Sequence, residues 1–265
     1  MTSQNLSTKN KPTWCPGCGN FLVLECVKRA ISEIATSKKY PLKDFAFVTG
    51  IGCHAKIYDA LNLSGIYGLH GRVLPMAIGM KTGNPKLKVI GFGGDGDTYS
   101  EGMEHFIHAF RYNSDMTMIV HDNQSFSLTT GQATATTQKG LKTKTAPFGE
   151  FNLPLNPVKI ALASGGTFIA RCNPADINQT VNILKKAIEH KGFAYIEMMQ
   201  ECVIFNKEMN TARKKLMYKI PDNKNYEKAL KLVEEWDYNS KSGKIPVGIL
   251  YQTNKPTFEN KWFGI

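Results

Sequence analysis

Apolar residues along the chain fall into two periods. Short continuous runs cover Phe45 to Thr49, Leu87 to Phe92, Met116 to Val120, Thr167 to Arg171 and Phe193 to Met198. Each has the length and the β-branched or aromatic content of a buried strand. Between them apolar residues recur at helical spacing. Phe21 to Ile34 is one such segment, and Val73 to Met80 is another, with Pro75 tolerated in its first turn. Met103, Phe106, Ile107 and Phe110 stand at i, i+3, i+4 and i+7. Ala175 to Lys191 follows Asn173-Pro174, a reasonable helix start. Strands that alternate with helices predict an α/β fold, a mainly parallel sheet flanked by helices on both faces.

The pattern changes after residue 206. Residues 133 to 157 already lack periodicity and read as a long loop, in which Lys139, Lys142 and Lys144 face an anionic group, a partner or solvent. Residues 207 to 265 are more charged and carry no catalytic motif. Tyr226 to Asp237 is an amphipathic helix, and Ile245 to Tyr251 is a short apolar segment isolated between Lys and Pro. That segment reads as lying outside the main core, as an arm docked on a partner or as a tail packed back. The expected division is therefore 1–206 and a C-terminal extension, 207–265.

Composition changes this picture little and charge somewhat more. The chain has 265 residues and a formal charge of +11, which favours anionic partners such as phosphates, coenzyme A or an acidic carrier. No helix-turn-helix, zinc-finger or RNA-recognition signature accompanies the charge, so nucleic acid is not expected. No apolar run has the length of a membrane span. The polar N-terminus lacks the apolar core of a secretory signal, and the cytoplasm is the expected compartment.

Candidate chemistry sits where the strands end. Lys88 to Gln132 reads as a βαβ unit. Its crossover makes both strands parallel, so Asp95 and Asn123 leave the sheet on the same edge. Hard cations such as Mg²⁺ take oxygen ligands of this kind and share them with phosphates. The glycines around Asp95 let phosphate oxygens approach backbone N–H groups. GDG followed at this distance by Asn resembles the thiamine diphosphate motif. Cys15 and Cys18 form a C-x-x-C turn in WCPGCGN, which suits zinc, redox or iron–sulfur chemistry. Cys53 is a third thiol, at the exit of the strand that ends at Thr49. Cys26 reads as a small core side chain. His70 and Arg72 open the Val73 helix as a phosphate contact or a surface pair.

Taken in order, WCPGCGN, GIGC with Lys56 three residues on, LHGR, GGDGD, Asp122-Asn123, LTTGQ and a late Cys resemble the β subunit of 2-oxoacid:ferredoxin oxidoreductases over roughly residues 12 to 206. The resemblance implies the diphosphate-type thiamine fold, with thiamine diphosphate, Mg²⁺ and one [4Fe–4S] cluster as cofactors. It implies Cys15, Cys18, Cys53 and Cys202 as cluster ligands, with Cys172 the rival for the fourth. Asp95, Asn123 and the carbonyl of Ser125 match the Mg²⁺ positions. Ile51, Gly52, Cys53, His54, His70, Gly96, Asp97, Ser127 and Leu128 match the thiamine diphosphate contacts. Lys56 matches a lysine linked to recognition of the 2-oxoacid. Trp14 and Pro16 would keep water from the cluster. His54, Tyr112, Ala135 and Glu201 depart from the pattern, and none removes a ligand.

The implied reaction is oxidative decarboxylation of a 2-oxoacid, pyruvate or 2-oxoglutarate, to acyl-coenzyme A and CO₂, with electrons passed to ferredoxin. The implied partner is an α or fused γ–α subunit. Two other readings are a different thiamine-dependent decarboxylase or transferase with structural zinc, and a non-enzymatic metalloprotein that binds nucleic acid.

Overall fold

The computed structural model describes residues 6–37 and 40–264, which excludes the first five residues of the polar N-terminus. In chain order the elements are α1 (Asn20–Thr36), β1 (Phe45–Thr49), α2 (Ile57–Ala60), β2 (Ser64–Tyr67), α3 (Val73–Gly83), β3 (Lys88–Gly94), α4 (Met103–Tyr112) and β4 (Met116–His121). Then come α5 (Pro157–Ala163), β5 (Phe168–Cys172), α6 (Ile177–Glu189), β6 (Phe193–Met198), α7 (Lys207–Leu216), β7 (Met217–Lys219), α8 (Tyr226–Glu234), β8 (Ile245–Gln252) and α9 (Phe258–Phe263). The strands form one sheet in the order β2-β1-β3-β4-β6-β5-β8-β7. Every pairing is parallel except β5 with β8.

The strand pattern explains the layers. Successive side chains of a strand point to opposite faces, so a run that is apolar throughout feeds two cores. Phe45, Phe47, Ile90, Phe92, Ile119 and Ile196 pack with α1 and α6 on one face. Val48, Val89, Met118, Val120 and Tyr195 pack with α3, α4, α5 and α8 on the other. Phe106, fully buried on α4, sits against Phe110 and Tyr195 with ring centroids 4.9 Å apart in each case. Burial of a side chain of this size stabilises by about 1.5–3 kcal/mol. Among the described residues no helix is long and apolar enough to cross a membrane.

The segment read as lying outside the core is a strand inside it. Residues of β8 pair antiparallel with β5, from Arg171 opposite Gly248 to Phe168 opposite Gln252, and Ile245 through Leu250 are buried. A buried ionic network fastens this end. Arg171 on β5 donates to Glu197 on β6 at 2.6 Å and to the Tyr238 hydroxyl at 2.9 Å, and Tyr238 donates to Glu197 at 2.6 Å. All three side chains are fully buried, and the Trp236 ring stacks on Tyr238 at 4.1 Å. The extension is thus packed back on the sheet through β8.

Strand order also fixes where a ligand goes. From β1 the chain crosses to β2 on one side, whereas from β3 it crosses to β4 on the other. Open α/β sheets bind ligands outside the carboxyl ends of strands at such a reversal. Gly50 to His54 and Asp95 to Asp97 emerge on either side of it.

Candidate active site

The exits of β1, β3 and β4 line a single cleft. Ile51, Gly52, Cys53 and His54 come from the first, Asp95, Gly96 and Asp97 from the second, and Asn123, Ser125, Ser127 and Leu128 from the third. His70 joins from the turn before α3. Every residue expected to contact thiamine diphosphate or Mg²⁺ is therefore in one place. Two glycines make the approach possible. A Cβ on Gly50 would stand 2.0 Å from Asp97 Oδ2, and one on Gly96 would stand 2.2 Å from the Phe126 ring.

The cleft is built from polar atoms that the protein leaves unsatisfied. Asp97 accepts from the Gly71 N–H at 2.7 Å through Oδ1, which fixes its carboxylate. His54 Nε2 and His70 Nδ1 each lie 3.5 Å from an Asp97 oxygen, too long for a hydrogen bond. His54 Nε2, His70 Nδ1, Asp97 Oδ2 and Ser125 Oγ are all buried with no hydrogen-bond partner. Orphaned polar groups are costly and rare in interiors, so a cluster of them around a cleft points to a polar ligand. A diphosphate with its metal ion fits that set.

A second layer holds the metal candidates. Asp95 is buried, and its Oδ2 accepts from the Thr134 hydroxyl at 2.6 Å. The Thr136 hydroxyl stands 3.2 Å from both Asp95 Oδ2 and Asp122 Oδ1. Burial pushes the Asp95 carboxyl up to about 6, against the hydroxyls of Thr134 and Thr136 and the charge of Arg213, which hold it down. Burial and the nearby Asp95 and Glu197 charges push Asp122 well above the usual carboxylate range. Asp95 lines the cleft, and a carboxylate there suits a divalent cation, whereas Asp122 lies behind it, its Oδ1 held by the Gln124 N–H at 2.9 Å and the Thr136 hydroxyl. Arg213 on α7 supports the floor, with Nη2 donating to the carbonyls of Asp122 at 2.6 Å and Gln200 at 2.5 Å. His121 is also in the cleft; its Nδ1 meets Asn20 Oδ1 at 2.7 Å, and burial holds the imidazole well below its usual pKa.

The cysteines divide into two sets. Cys15, Cys18, Cys53 and Cys202 line a second cleft with Trp14, Lys56, Asn123, Ser127 and Gln200. Burial pushes the Cys18 thiol up to about 11, and Cys202, Cys53 and Cys15 each push it the same way. Backbone N–H groups point at two of the sulfurs, from Asn20 to Cys18 and from Phe205 to Cys202 at 3.3 Å. Among the described residues no three His, Cys, Asp or Glu side chains close on a point as a single ion requires. Four thiols that line one cleft are a donor set that both zinc sites and iron–sulfur clusters use. Cys172 is fully buried in the core with Cys26, whose thiol donates to the Pro174 carbonyl at 3.9 Å, and neither lines this cleft. Lys56 donates to the Thr13 carbonyl at 3.0 Å and lines the cysteine cleft, not the cleft of the diphosphate contacts. Trp14 donates its indole N–H to the Cys53 carbonyl at 2.6 Å.

Sequence reading missed several parts of the site. Thr134 and Thr136 belong to a stretch read only as loop, and the sole hint was Thr density. Gln200 follows β6 and precedes Cys202, and position at a strand exit was its only signal. Arg213 lies on α7, whose sequence KEMNTARKKL is too polar to suggest a helix that enters a site. Lys139, Lys142 and Lys144 are exposed.

Comparison with known proteins agrees with this geometry. Residues 50–198 match the family model "Thiamine pyrophosphate enzyme, C-terminal TPP binding domain". Residues 202–264 match the family model for the C-terminal region of the pyruvate ferredoxin oxidoreductase β subunit. The chain is 40% identical over 252 residues to a 2-oxoacid:ferredoxin oxidoreductase subunit beta of Saccharolobus solfataricus, covering 90% of this chain and 81% of that one. It is 35% identical to the 2-oxoglutarate synthase subunit KorB of Methanocaldococcus jannaschii, over 92% and 89% of the two chains. A solved 2-oxoglutarate:ferredoxin oxidoreductase from Magnetococcus marinus, with 2-oxoglutarate, coenzyme A and succinyl-CoA bound, superposes with a TM-score of 0.93 at 32% identity. That match covers 100% of this chain and 89% of the other. On the strength of two family models in tandem and relatives matched over nearly the whole chain, the protein belongs to the β subunits of the 2-oxoacid:ferredoxin oxidoreductases.

Proposed function

We propose that this β subunit holds thiamine diphosphate through Mg²⁺ in the first cleft and a [4Fe–4S] cluster in the second. In that role it oxidises a 2-oxoacid with coenzyme A to acyl-coenzyme A and CO₂ and passes two electrons, one at a time, to ferredoxin. The observation that carries the reading is that the two clefts adjoin. Cys53, Asn123, Ser127 and Gln200 line both. Thiamine diphosphate supplies the electron sink that decarboxylation needs, and a cubane cluster supplies one-electron transfer.

The chain's own residues do the rest. Asp95, the Asn123 side-chain carbonyl and the Ser125 backbone carbonyl offer the oxygen set that Mg²⁺ takes. His54, His70 and Asp97 present their unsatisfied edges to the diphosphate side of the cleft. Ile51, Gly52, Cys53, Gly96, Ser127 and Leu128 shape its walls. Cys15, Cys18, Cys53 and Cys202 ligate the cluster, and Trp14, itself buried, keeps water from it. Lys56 approaches the 2-oxoacid from the cluster side. The name β subunit implies an α partner, which would complete the site. Among the described residues of 207–265, Tyr226, Trp262 and Phe263 are the exposed large apolar side chains available to meet it.

Pyruvate and 2-oxoglutarate are the substrates to separate, and 2-oxoglutarate is named for two of the relatives above. The test is reduction of a viologen dye by the enzyme assembled with its partner, across several 2-oxoacids with coenzyme A. The chain alone, loaded with the same cofactors, should show no sustained turnover. Turnover without a second polypeptide would remove the need for an α partner.

A further inference from the structure

Gln200 leaves β6 between the two clefts and is buried to 1% exposure. Its side chain touches both sites. Asn123 Nδ2 donates to Gln200 Oε1 at 2.7 Å. Gln200 Nε2 donates to Cys18 Sγ at 3.6 Å and to the Glu201 carbonyl. The backbone of Gln200 is pinned as well, through its carbonyl on Arg213.

These partners determine which way each amide points. A backbone carbonyl only accepts, so the end of Gln200 that faces Glu201 O must be its NH₂ group. Gln200 Oε1 then faces Asn123, and the end of Asn123 it meets must be the NH₂ group. Asn123 Oδ1 is thereby turned into the diphosphate cleft, where the Ser127 hydroxyl donates to it at 2.9 Å. The second N–H of Gln200 is left for Cys18. The other N–H groups on these sulfurs are backbone groups, from Asn20 and Phe205. Gly19 makes the close approach possible, since a Cβ there would stand 2.8 Å from Glu201 N.

We propose that Gln200 is a positioning residue for both cofactor sites, its carbonyl orienting Asn123 toward the metal and its amide N–H donating to the cluster sulfur of Cys18. The inference rests on the function proposed above. Each half has a chemical consequence. Partners of metal ligands typically govern affinity by 10- to 100-fold, because they fix ligand orientation. A hydrogen bond to a cluster sulfur favours the reduced, more electron-rich state and raises the reduction potential.

The two halves can be separated in the assembled holoenzyme. Q200M has similar length and no charge, and it lacks both the acceptor and the donor. It should lower the cluster's midpoint potential and weaken Mg²⁺–thiamine diphosphate binding about tenfold. Q200E restores the acceptor for Asn123 and removes the N–H that faces Cys18. Held neutral by burial, its carboxyl O–H can donate to the Glu201 carbonyl while its other oxygen accepts from Asn123. It should recover cofactor affinity to within about twofold of the parent, while the potential stays low. Recovery of one readout without the other is what a purely structural role would not produce. A parent potential in Q200M, or a Q200E that binds the cofactor no better than Q200M, overturns the inference alone. A parent enzyme without iron overturns both the inference and the proposed function.

Discussion

Thr134 donates its hydroxyl proton to Asp95 Oδ2 at 2.6 Å, across 39 residues of chain. This contact ties a loop with no periodicity to the strand exit that carries the metal candidate. Thr134→Val keeps the shape and removes the donor. A hydrogen bond to a charged group contributes about 1.5–3 kcal/mol, and the substitution should weaken Mg²⁺-dependent thiamine diphosphate binding about tenfold. Titration calorimetry of parent and variant checks it, with unchanged affinity as the contrary result.

Asp95 itself carries a signed prediction. Its folded pKa, about 6, lies above the unfolded value near 3.8, so the charged form destabilises the unloaded fold. Stability is present at low pH and lost as pH rises through the folded pKa. At pH 8 without metal, Asp95→Asn should melt higher than the parent. The same variant should lose the melting shift that Mg²⁺ and thiamine diphosphate give the parent. A variant that melts lower and still responds to the cofactor would sink the assignment.

The two cysteine sets predict opposite behaviour. Ser in place of Cys15, Cys18, Cys53 or Cys202 should each lower bound iron and visible absorbance. Cys26→Ser and Cys172→Ser should both keep the iron, and Cys172→Ser should lose about 1–3 kcal/mol of stability, since it buries a hydroxyl among apolar atoms. A Cys172→Ser enzyme without iron would reverse the choice of fourth ligand.

Much of this arrangement was readable from the chain, and the failures have physical reasons. The β3–α4–β4 unit was legible because apolar runs with turn-forming boundaries are strong local signals. The strand β3 was expected to end at Phe92 and runs on to Gly94, because Gly93 and Gly94 pair with Val120 and His121 of β4. Pairing across the sheet overrode the glycines' local preference. The four residues of β2, Ser64–Tyr67, form a short, mostly exposed edge strand and give no periodic run to read. Ile245 to Tyr251 looked isolated because β5, the partner that ties it to the main sheet, lies more than seventy residues upstream, and its other partner, β7, is only three residues long. The candidate ligands stand in sequence motifs, whereas Thr134, Thr136, Gln200 and Arg213 act through tertiary contacts and have no local spacing to betray them.

The buried network at the β5–β8 end should be costly to open. Removing one partner of a buried ion pair leaves an uncompensated charge, at about 3–5 kcal/mol. Arg171→Met should therefore approach that loss in denaturant unfolding. Tyr238→Phe removes one donor to Glu197 and should cost about 1.5–3 kcal/mol. Loss of less than about 1 kcal/mol in Arg171→Met would mean the network relaxes around the gap.

His190 gives the molecule an acid-sensitive contact. Its Nε2 meets the Thr167 hydroxyl at 3.0 Å, its ring lies against Phe168, and burial lowers its pKa from 6.5 to about 4. The unfolded chain takes up the proton first as pH falls. Stability is fully present above 6.5 and declines as pH falls from there toward 4, by up to about 3 kcal/mol. His190→Gln should flatten that part of the stability profile. An equally steep profile in the variant would assign the acid sensitivity elsewhere.

The most direct test of the account is electron paramagnetic resonance of the anaerobically purified, assembled enzyme. About four irons and four sulfides per β chain are expected, since a cubane requires them. A 2-oxoacid added with coenzyme A should generate the signal of a reduced cluster, and Asp95→Ala should not show it. One zinc per chain in place of iron, or a cluster that stays oxidised with every 2-oxoacid tried, would contradict the account.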